Sequence, residues 1–261
     1  MKIAIVTGAS SGMGREFVRQ IERFYKNLDE IWVVARREER LLELKKELSC
    51  YVRVFAGDMQ EGLVYKQVLN RLENQSPDVR MLVNAAGFGK TGTVEEIAAK
   101  DKKVQLDMID LNCRGLTQMT CTCLPWMHKG SRIINLASAA AFCPQSGFGV
   151  YAATKSYVLS FSRSLGAELS DRGIIVTAVC PGPVDTEFFQ ISGPMTNSMK
   201  AAVMAKPQDV VRQALLDTKE KKAISVYGAV MKGANVAARL IPHSVILKAM
   251  DICRKREDEV E

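Results

Sequence analysis

The chain has 261 residues, of which 36 are basic and 29 acidic, so its formal net charge is +7. This length fits one large α/β domain. Because the cations are mixed with acidic residues and form no basic stripe interleaved with aromatics, the composition argues against nucleic-acid binding. The positive excess suits an anionic small-molecule ligand.

The cysteine and histidine content argues against disulfide and metal sites. Seven cysteines at irregular spacing and two histidines match neither a disulfide framework nor a zinc-ligand pattern. We therefore expect reduced thiols, a cytoplasmic location and no metal. Strand-forming residues begin at Lys2, which leaves no room for a signal peptide. Residues 228 to 247 are apolar but contain Lys232, Arg239 and Pro242, so we expect a packed or interfacial helix and no integral membrane span.

Short β-branched runs alternate with longer amphipathic stretches, which is the pattern of a parallel sheet built from βαβ units. Predicted strands cover residues 2 to 6, 30 to 35, 51 to 56, 80 to 84, 131 to 136, 174 to 180 and 223 to 226. Predicted helices include residues 14 to 24, 38 to 48 and 151 to 169. We predict an α/β fold: a single doubly wound Rossmann-type domain over residues 1 to 261, with a parallel six- to seven-stranded sheet and helices on both faces. Residues 186 to 206 are predicted as a substrate loop or lid, and residues 228 to 261 as a C-terminal helical extension.

A glycine-rich turn follows the first predicted strand, with the sequence Thr7-Gly8-Ala9-Ser10-Ser11-Gly12-Met13-Gly14. In a doubly wound fold this turn holds dinucleotide phosphates against a helix N-terminus. Its glycines allow a tight turn and a close approach of the backbone, and its serines offer hydroxyl donors. The candidate phosphate-binding residues are Gly8, Ser10, Ser11, Gly12 and Met13.

The end of the second strand distinguishes the two nicotinamide dinucleotides, because NAD sites place a carboxylate there for the ribose hydroxyls. This chain has Arg36 and Arg37 instead. A guanidinium pairs with a phosphate through a fork of donors, so the sequence favours NADP(H) over NAD(H). The alternative is that both arginines only begin a solvated helix, as Glu38 and Glu39 suggest.

Tyr151 and Lys155 are four residues apart, and Tyr151 lies thirteen residues after Ser138. On a helix, positions i and i+4 share one face, so a phenol and an ammonium would be neighbours. A unit charge about 4 Å away is worth roughly 4 kcal/mol at an effective dielectric of about 20, so Lys155 would lower the pKa of Tyr151 by about three units. Burial of the phenol opposes this effect. A lone pair with this spacing is more often part of an ordinary amphipathic helix.

Six motifs occur together and in one order: Thr7-Gly8-x-x-x-Gly12-x-Gly14, Asn84-Ala85-Ala86-Gly87, Asn112, Ser138, Tyr151-x-x-x-Lys155 and Pro181-Gly182. With these motifs the chain resembles the short-chain dehydrogenase/reductase family over residues 2 to 215. The resemblance implies an oxidoreductase that acts on CH–OH groups with a nicotinamide dinucleotide. It also implies a homodimer or homotetramer.

The resemblance assigns roles to four catalytic residues. Tyr151 would exchange a proton with the substrate oxygen, and Ser138 would hydrogen-bond that oxygen. Lys155 would hold the nicotinamide ribose and lower the pKa of Tyr151, while Asn112 would position a water for a proton relay. The remaining implied cofactor contacts are Asp58 and Met59 in the adenine pocket, Asn84, Ala85 and Gly87 beside the adenine ribose, and Pro181, Val184 and Thr186 near the carboxamide.

The predicted substrate pocket is apolar. Its expected walls are residues 139 to 149, including Phe142, Cys143 and Phe148, and the lid residues Phe188, Phe189, Met195 and Met199. This lining favours a bulky hydrophobic ketone or secondary alcohol, with a steroid or bile acid, and hence a hydroxysteroid dehydrogenase, as one concrete guess. The alternative is that these side chains only pack the lid against the sheet.

Two rival functions stay open. One is a 3-oxoacyl thioester reductase of lipid synthesis, in which Lys200 and Lys206 would meet the acidic surface of an acyl carrier. The other is a non-catalytic regulator that senses NADP, against which the intact Ser138, Tyr151 and Lys155 argue.

Overall fold

A computed structural model describes residues 1–192 and 204–258 of the chain. Its centre is a parallel seven-stranded sheet with the order β3-β2-β1-β4-β5-β6-β7. The strands are β1 Lys2–Thr7, β2 Glu30–Ala35, β3 Tyr51–Ala56, β4 Asp78–Asn84, β5 Arg132–Leu136, β6 Ile175–Val179 and β7 Ile224–Ser225. The strand order reverses between β1 and β4, which makes their carboxyl ends the topological switch point where doubly wound folds bind ligands.

Helices cover both faces of the sheet, as predicted. They are α1 Gly12–Phe24, α2 Glu38–Glu47, α3 Leu63–Gln75, α4 Val94–Lys100, α5 Lys103–Ile109, α6 Leu116–Cys123, α7 Gly149–Glu168, α8 Phe188–Ser192, α9 Pro207–Lys219, α10 Ala229–Leu240 and α11 His243–Asp258. A π-helical stretch, Asp110–Gly115, joins α5 to α6. The predicted α/β class and doubly wound architecture are confirmed.

Burial on both faces explains the composition of β1. Ile3 and Ile5 pack into a cluster with α3, α6 and α7, whereas Ala4 and Val6 pack into the opposite cluster with α1, α2 and α9. All four side chains are fully buried. A strand covered on both sides reads as a continuous apolar run, so its position in the centre of a parallel sheet follows from its sequence.

The structure differs from the predictions mainly at element ends. β4 begins at Asp78, two residues before the predicted start, and α7 begins at Gly149, two residues before the predicted helix. The apolar segment after residue 228 forms α10 and α11, which are interrupted at Pro242 because proline lacks the backbone N–H that a helix interior needs. In the part of the chain that the structure describes, no helix has the length and hydropathy needed to cross a membrane.

Only part of the predicted lid is described. Within the lid, Phe188–Ser192 form α8. A short parallel bridge joins Val184, just before the lid, to Ala205 near its end. Met195, Met199 and Lys200, which were assigned to the lid, lie outside the described residues.

Candidate active site

The glycine-rich turn is fastened to the end of β4 at the switch point. Gly8 has a φ of +67°, and a Cβ added there would lie 2.7 Å from the Ala86 nitrogen, so a side chain is excluded. The Thr7 hydroxyl accepts hydrogen bonds from the backbone N–H groups of Ala85 and Ala86 at 3.1 and 3.2 Å. Backbone, rather than side chains, therefore lines this part of the cleft.

Helix α1 presents free backbone donors to the cleft. A Cβ on Gly14 would lie 2.2 Å from the Gly8 carbonyl oxygen, so only glycine allows the helix to begin this close to the turn. Ser11 is the N-cap residue but its side chain makes no capping hydrogen bond. The first N–H groups of a helix have no intrahelical partner and attract anions. This end of α1 therefore fits the pyrophosphate of a nicotinamide dinucleotide.

Three arginines lie near the turn, and they differ in what they contact. Arg37 donates from Nη2 to the hydroxyl oxygens of Ser11 and Ser10 at 2.8 and 3.3 Å. Arg36 is mostly exposed, and its Nη1 is 3.6 Å from the carboxylate of Asp58. Arg40 lies one helical turn beyond Arg37, and sequence reasoning missed it because it reads as part of a solvated helix. Arg37 is thus the guanidinium that reaches the predicted phosphate site.

Arg37 and Arg40 share one carboxylate, that of Glu187. Arg40 Nη1 lies 2.6 and 2.8 Å from its two oxygens, and Arg37 Nη1 lies 3.1 Å from Oε2. Partial burial alone would raise the pKa of Glu187, but the hydrogen bonds from Arg40 and Arg37 outweigh it and hold the pKa below its ordinary value. Glu187 was not predicted, since nothing in its local sequence indicates a partner about 150 residues away.

Two predicted adenosine contacts have side chains that face the core instead. The Asn84 amide donates to the Thr120 hydroxyl at 3.0 Å and to Asn135 Oδ1 at 2.9 Å, which ties β4 to α6 and β5. Met59 is buried, and its carbonyl accepts a hydrogen bond from Tyr65 at 2.7 Å. At both positions the side chain is engaged within the protein, and the predicted cofactor contacts stay predictions.

The loop after β6 covers the glycine-rich turn. The Pro181 carbonyl accepts from the Ala139 N–H at 2.8 Å. The Thr186 hydroxyl donates to the Val184 carbonyl at 3.3 Å. A Cβ added to Gly12 would lie 3.4 Å from Thr186, so this loop and the turn are next to each other.

Ser138 and Tyr151 meet at the carboxyl end of β5. The Ser138 hydroxyl is close enough to the Tyr151 phenol to lower its pKa, and Ser138 Oγ accepts from the Ala140 N–H at 3.1 Å. The Tyr151 ring is stacked on Phe148 with centroids 4.2 Å apart, and Phe188 lies at 5.5 Å on a tilted ring plane. Aromatic walls therefore hold the phenol beside the serine hydroxyl.

Burial governs the ionisation of Tyr151 and Lys155. Desolvation raises the pKa of Tyr151 to about 12, against a lowering by the Ser138 hydrogen bond. It lowers the pKa of Lys155 to about 8, although Lys155 Nζ donates to the Leu136 carbonyl at 2.7 Å. Burial thus moves the two pKa values in opposite directions, and the lowering of the Tyr151 pKa by Lys155 stays a prediction.

Asn112 lies in the π-helical stretch, where backbone geometry often marks functional sites. Its amide donates to the Phe88 carbonyl at 2.9 Å and to the Thr154 hydroxyl at 3.0 Å, and its oxygen accepts from the Phe88 N–H at 3.0 Å. A Cβ on Gly87 would lie 2.8 Å from Asn112 Oδ1 and 3.4 Å from Lys155 Nζ. Asn112 therefore joins the loop after β4 to α7, next to Lys155.

The anion-binding turn and the buried hydroxyl pair lie along the same edge of the sheet, an arrangement that defines an oxidoreductase with a nicotinamide dinucleotide. The sequence profile of the short chain dehydrogenase family matches residues 2–197, and the chain belongs to that family. Within residues 1–192 and 204–258, no cluster of histidine, cysteine or acidic side chains is arranged to hold a metal.

Known proteins with similar sequences and structures are reductases and dehydrogenases. The chain is 36% identical over 192 residues to sulfoacetaldehyde reductase 2 of Chromohalobacter salexigens, covering 71% of this chain and 74% of that protein. It is 35% identical over 193 residues to the NADP-dependent 3-hydroxy acid dehydrogenase of Salmonella typhi, covering 72% and 75%. A short-chain dehydrogenase from Sphingobium yanoikuyae in complex with NADPH has a TM-score of 0.75 at 26% identity, covering 92% and 94%.

Proposed function

We propose that this oxidoreductase uses NADP(H) to interconvert a ketone and a secondary alcohol, with Tyr151 as the group that exchanges the proton. The observation that carries the proposal is the buried Tyr151 phenol, which lies beside the Ser138 hydroxyl and is flanked by the rings of Phe148 and Phe188. Because burial raises the pKa of Tyr151 to about 12, the phenol is protonated near neutrality and suited to act as the acid in reduction.

Each remaining residue of the site has a role in this proposal. The dinucleotide supplies or accepts the hydride when bound. Ser138 donates a hydrogen bond to the substrate oxygen as negative charge develops there. Lys155 binds the ribose next to the nicotinamide, and Asn112 acts as a positioning residue for Lys155 through its contacts with Phe88 and Thr154.

The preference for NADP(H) is supported by the positive charge beside the glycine-rich turn. Arg36, Arg37 and Arg40 lie where a 2′-phosphate would be bound, and Arg37 already contacts both serines of the turn. The Salmonella typhi relative is named NADP-dependent, and the similar Sphingobium yanoikuyae structure holds NADPH.

The substrate proposal rests on the walls around Tyr151. Phe148 and Phe188 flank its ring, and Phe189 lies edge-on to Phe188 with centroids 5.6 Å apart. These aromatic surfaces favour a ketone with apolar groups next to the carbonyl. Phe142, which was predicted in the pocket wall, packs against the cluster of Val158 and Val226.

A second candidate substrate class is a small acid or sulfonate with an aldehyde, keto or hydroxyl group. The relatives at 35% and 36% identity carry the names 3-hydroxy acid dehydrogenase and sulfoacetaldehyde reductase. The net charge of +7 is compatible with an anionic substrate.

An NADPH-oxidation screen separates these classes. The panel contains bulky aryl and alicyclic ketones, 3-oxoacyl thioesters, and small keto acids with sulfoacetaldehyde. We expect the highest kcat/KM with the bulky ketones, and activity confined to the small anions would transfer the assignment to the second class. No turnover of any member, with NADPH or NADH, would contradict the catalytic proposal and favour an NADP-sensing regulator. The one-domain organisation, the homo-oligomer and the cytoplasmic location stay predictions.

A further inference from the structure

We propose that Glu187 lowers the affinity for NADP(H): its carboxylate occupies the place of the 2′-phosphate between Arg37 and Arg40, and that phosphate must displace it in order to bind. The inference rests on the proposed preference for NADP(H) and adds a competing group within the protein itself. NAD(H) has no such phosphate and would leave the contact of Glu187 intact.

The geometry places Glu187 on the same guanidinium groups that face the turn. Arg37 donates from Nη2 to Ser10 and Ser11 and from Nη1 to Glu187 at 3.1 Å. Arg40 donates to both carboxylate oxygens at 2.6 and 2.8 Å. A single carboxylate thus bridges two cations beside the anion-binding end of α1.

The Glu187 carboxylate and a 2′-phosphate would compete for the same guanidinium groups. Carboxylate and phosphate oxygens both match the donor fork of a guanidinium. Arg37 is the N-cap residue of α2 and Arg40 lies in its first turn. Both side chains close on the same carboxylate. Arg36 faces Asp58, whereas Arg37 contacts both serines of the turn. Glu187 already neutralises part of the charge of Arg37 and Arg40.

Glu187 also connects the phosphate site to the catalytic wall. The next residue, Phe188, begins α8 and lies 5.5 Å from the Tyr151 ring. The preceding residue, Thr186, is the one that a Cβ on Gly12 would meet at 3.4 Å. Displacement of Glu187 by a 2′-phosphate would therefore act on the segment that covers both the turn and the proton-transfer group.

The chain offers a matched control in Glu47. Its carboxylate is bound by Arg15 at 2.6 Å and by Arg19 at 2.7 Å, and its side chain is 38% exposed, against 37% for Glu187. Glu47 joins α2 to α1 through Arg15 and Arg19, and in the part of the chain that the structure describes it forms no ion pair with Arg37 or Arg40. Glu47→Gln thus removes a similar ion pair that does not include the two arginines bound by Glu187.

The test measures binding to the full-length protein without substrate. Isothermal titration calorimetry gives the Kd of NADP+ and of NAD+ for the wild type, Glu187→Gln and Glu47→Gln. We expect Glu187→Gln to bind NADP+ about three- to fivefold more tightly, as expected for the loss of a competing half-exposed ion pair. The affinity for NAD+ should stay within about twofold. Glu47→Gln should change neither affinity, and circular dichroism would verify that both variants are folded.

A second measurement compares the effect of Glu187→Gln on NADP+ binding in the wild type and in an Arg40→Ala background. Without Arg40, the effect of Glu187→Gln on NADP+ binding should fall by at least half, because the carboxylate has lost its closest partner. Unchanged or weaker NADP+ binding in Glu187→Gln would overturn the inference, as would an equal gain for NAD+. If the wild type bound neither dinucleotide, the proposed function itself would fail, and that result is distinct from both of these.

Discussion

The buried and the half-exposed ends of the cleft control charge in different ways. Tyr151 and Lys155 are 7% and 5% exposed, and desolvation dominates their pKa values, moving Tyr151 up and Lys155 down. The side chains of Arg37 and Glu187 are 38% and 37% exposed, and there pairing outweighs desolvation, since the pKa of Glu187 is lowered. Burial thus sets the pKa values of the two groups proposed for catalysis, whereas ion pairing sets the pKa of the carboxylate beside the proposed phosphate site.

This comparison explains why the two ends need different elements. The residues proposed for catalysis, Ser138, Tyr151 and Lys155, come from the segment after β5 and from α7, and burial in the core holds the side chains of Tyr151 and Lys155 in place. The arginines come from the segment between β2 and the first turn of α2, where long side chains can extend to a ligand and exchange partners. Substitutions at the two ends should therefore have effects of different kinds and sizes.

The largest effect is expected from Tyr151→Phe, which removes the proposed proton-transfer hydroxyl from the buried end. We expect kcat to fall by about 10²- to 10⁴-fold while the Kd of NADP+ changes little. Steady-state kinetics and calorimetry measure the two quantities. Tyr157→Phe is the control, because this tyrosine lies on the same helix but is exposed and contacts Thr117 at 2.7 Å. A Tyr151→Phe enzyme with near wild-type kcat would refute the assignment.

A smaller effect is expected on the pH dependence of stability when Lys155 is replaced by Met. Burial lowers the Lys155 pKa from 10.5 to about 8 in the folded state. Between these values the unfolded chain binds more protons, so the wild-type free energy of unfolding should rise with pH relative to the variant, by about 3 kcal/mol at most. Urea unfolding at about pH 7.5 and about pH 10 measures the difference.

The control for this measurement is Lys66→Met, which removes an exposed lysine from α3. Its profile should run parallel to that of the wild type. Contributions from titrating groups far from Lys155 are common to the compared proteins and cancel to first order. Parallel profiles for Lys155→Met and the wild type would show that burial does not dominate at Lys155.

The smallest effect is expected at the half-exposed end, from Arg37→Ala. Losing a charge-assisted contact costs about 1.5 to 3 kcal/mol, so the Kd of NADP+ should rise at least about tenfold, with little change for NAD+. Arg36→Ala should have the smaller effect, because Arg36 is 65% exposed and faces Asp58. Fluorescence titration with both dinucleotides measures this order. A larger effect for Arg36→Ala would assign the phosphate to Arg36.

The strands and the glycine-rich turn could be predicted from the amino-acid sequence alone. A strand in the centre of a parallel sheet is buried on both faces, so the continuous apolar run of β1 predicts that position. Gly8 and Gly14 could be predicted because the turn needs a positive φ and a close approach of nearby backbone. The placement of Tyr151 and Lys155 on one face of a helix could also be predicted, because it depends only on their spacing along the chain.

Only the tertiary structure shows which side chains meet across the cleft and how burial shifts their pKa values. The raised pKa of Tyr151 comes from its burial, and Phe188 packs against its ring from a distant part of the chain. The contact of Glu187 with Arg37 and Arg40 joins residues about 150 positions apart. Desolvation and long-range ion pairs depend on the distances between elements, and those distances exist only once the sheet and its helices are assembled.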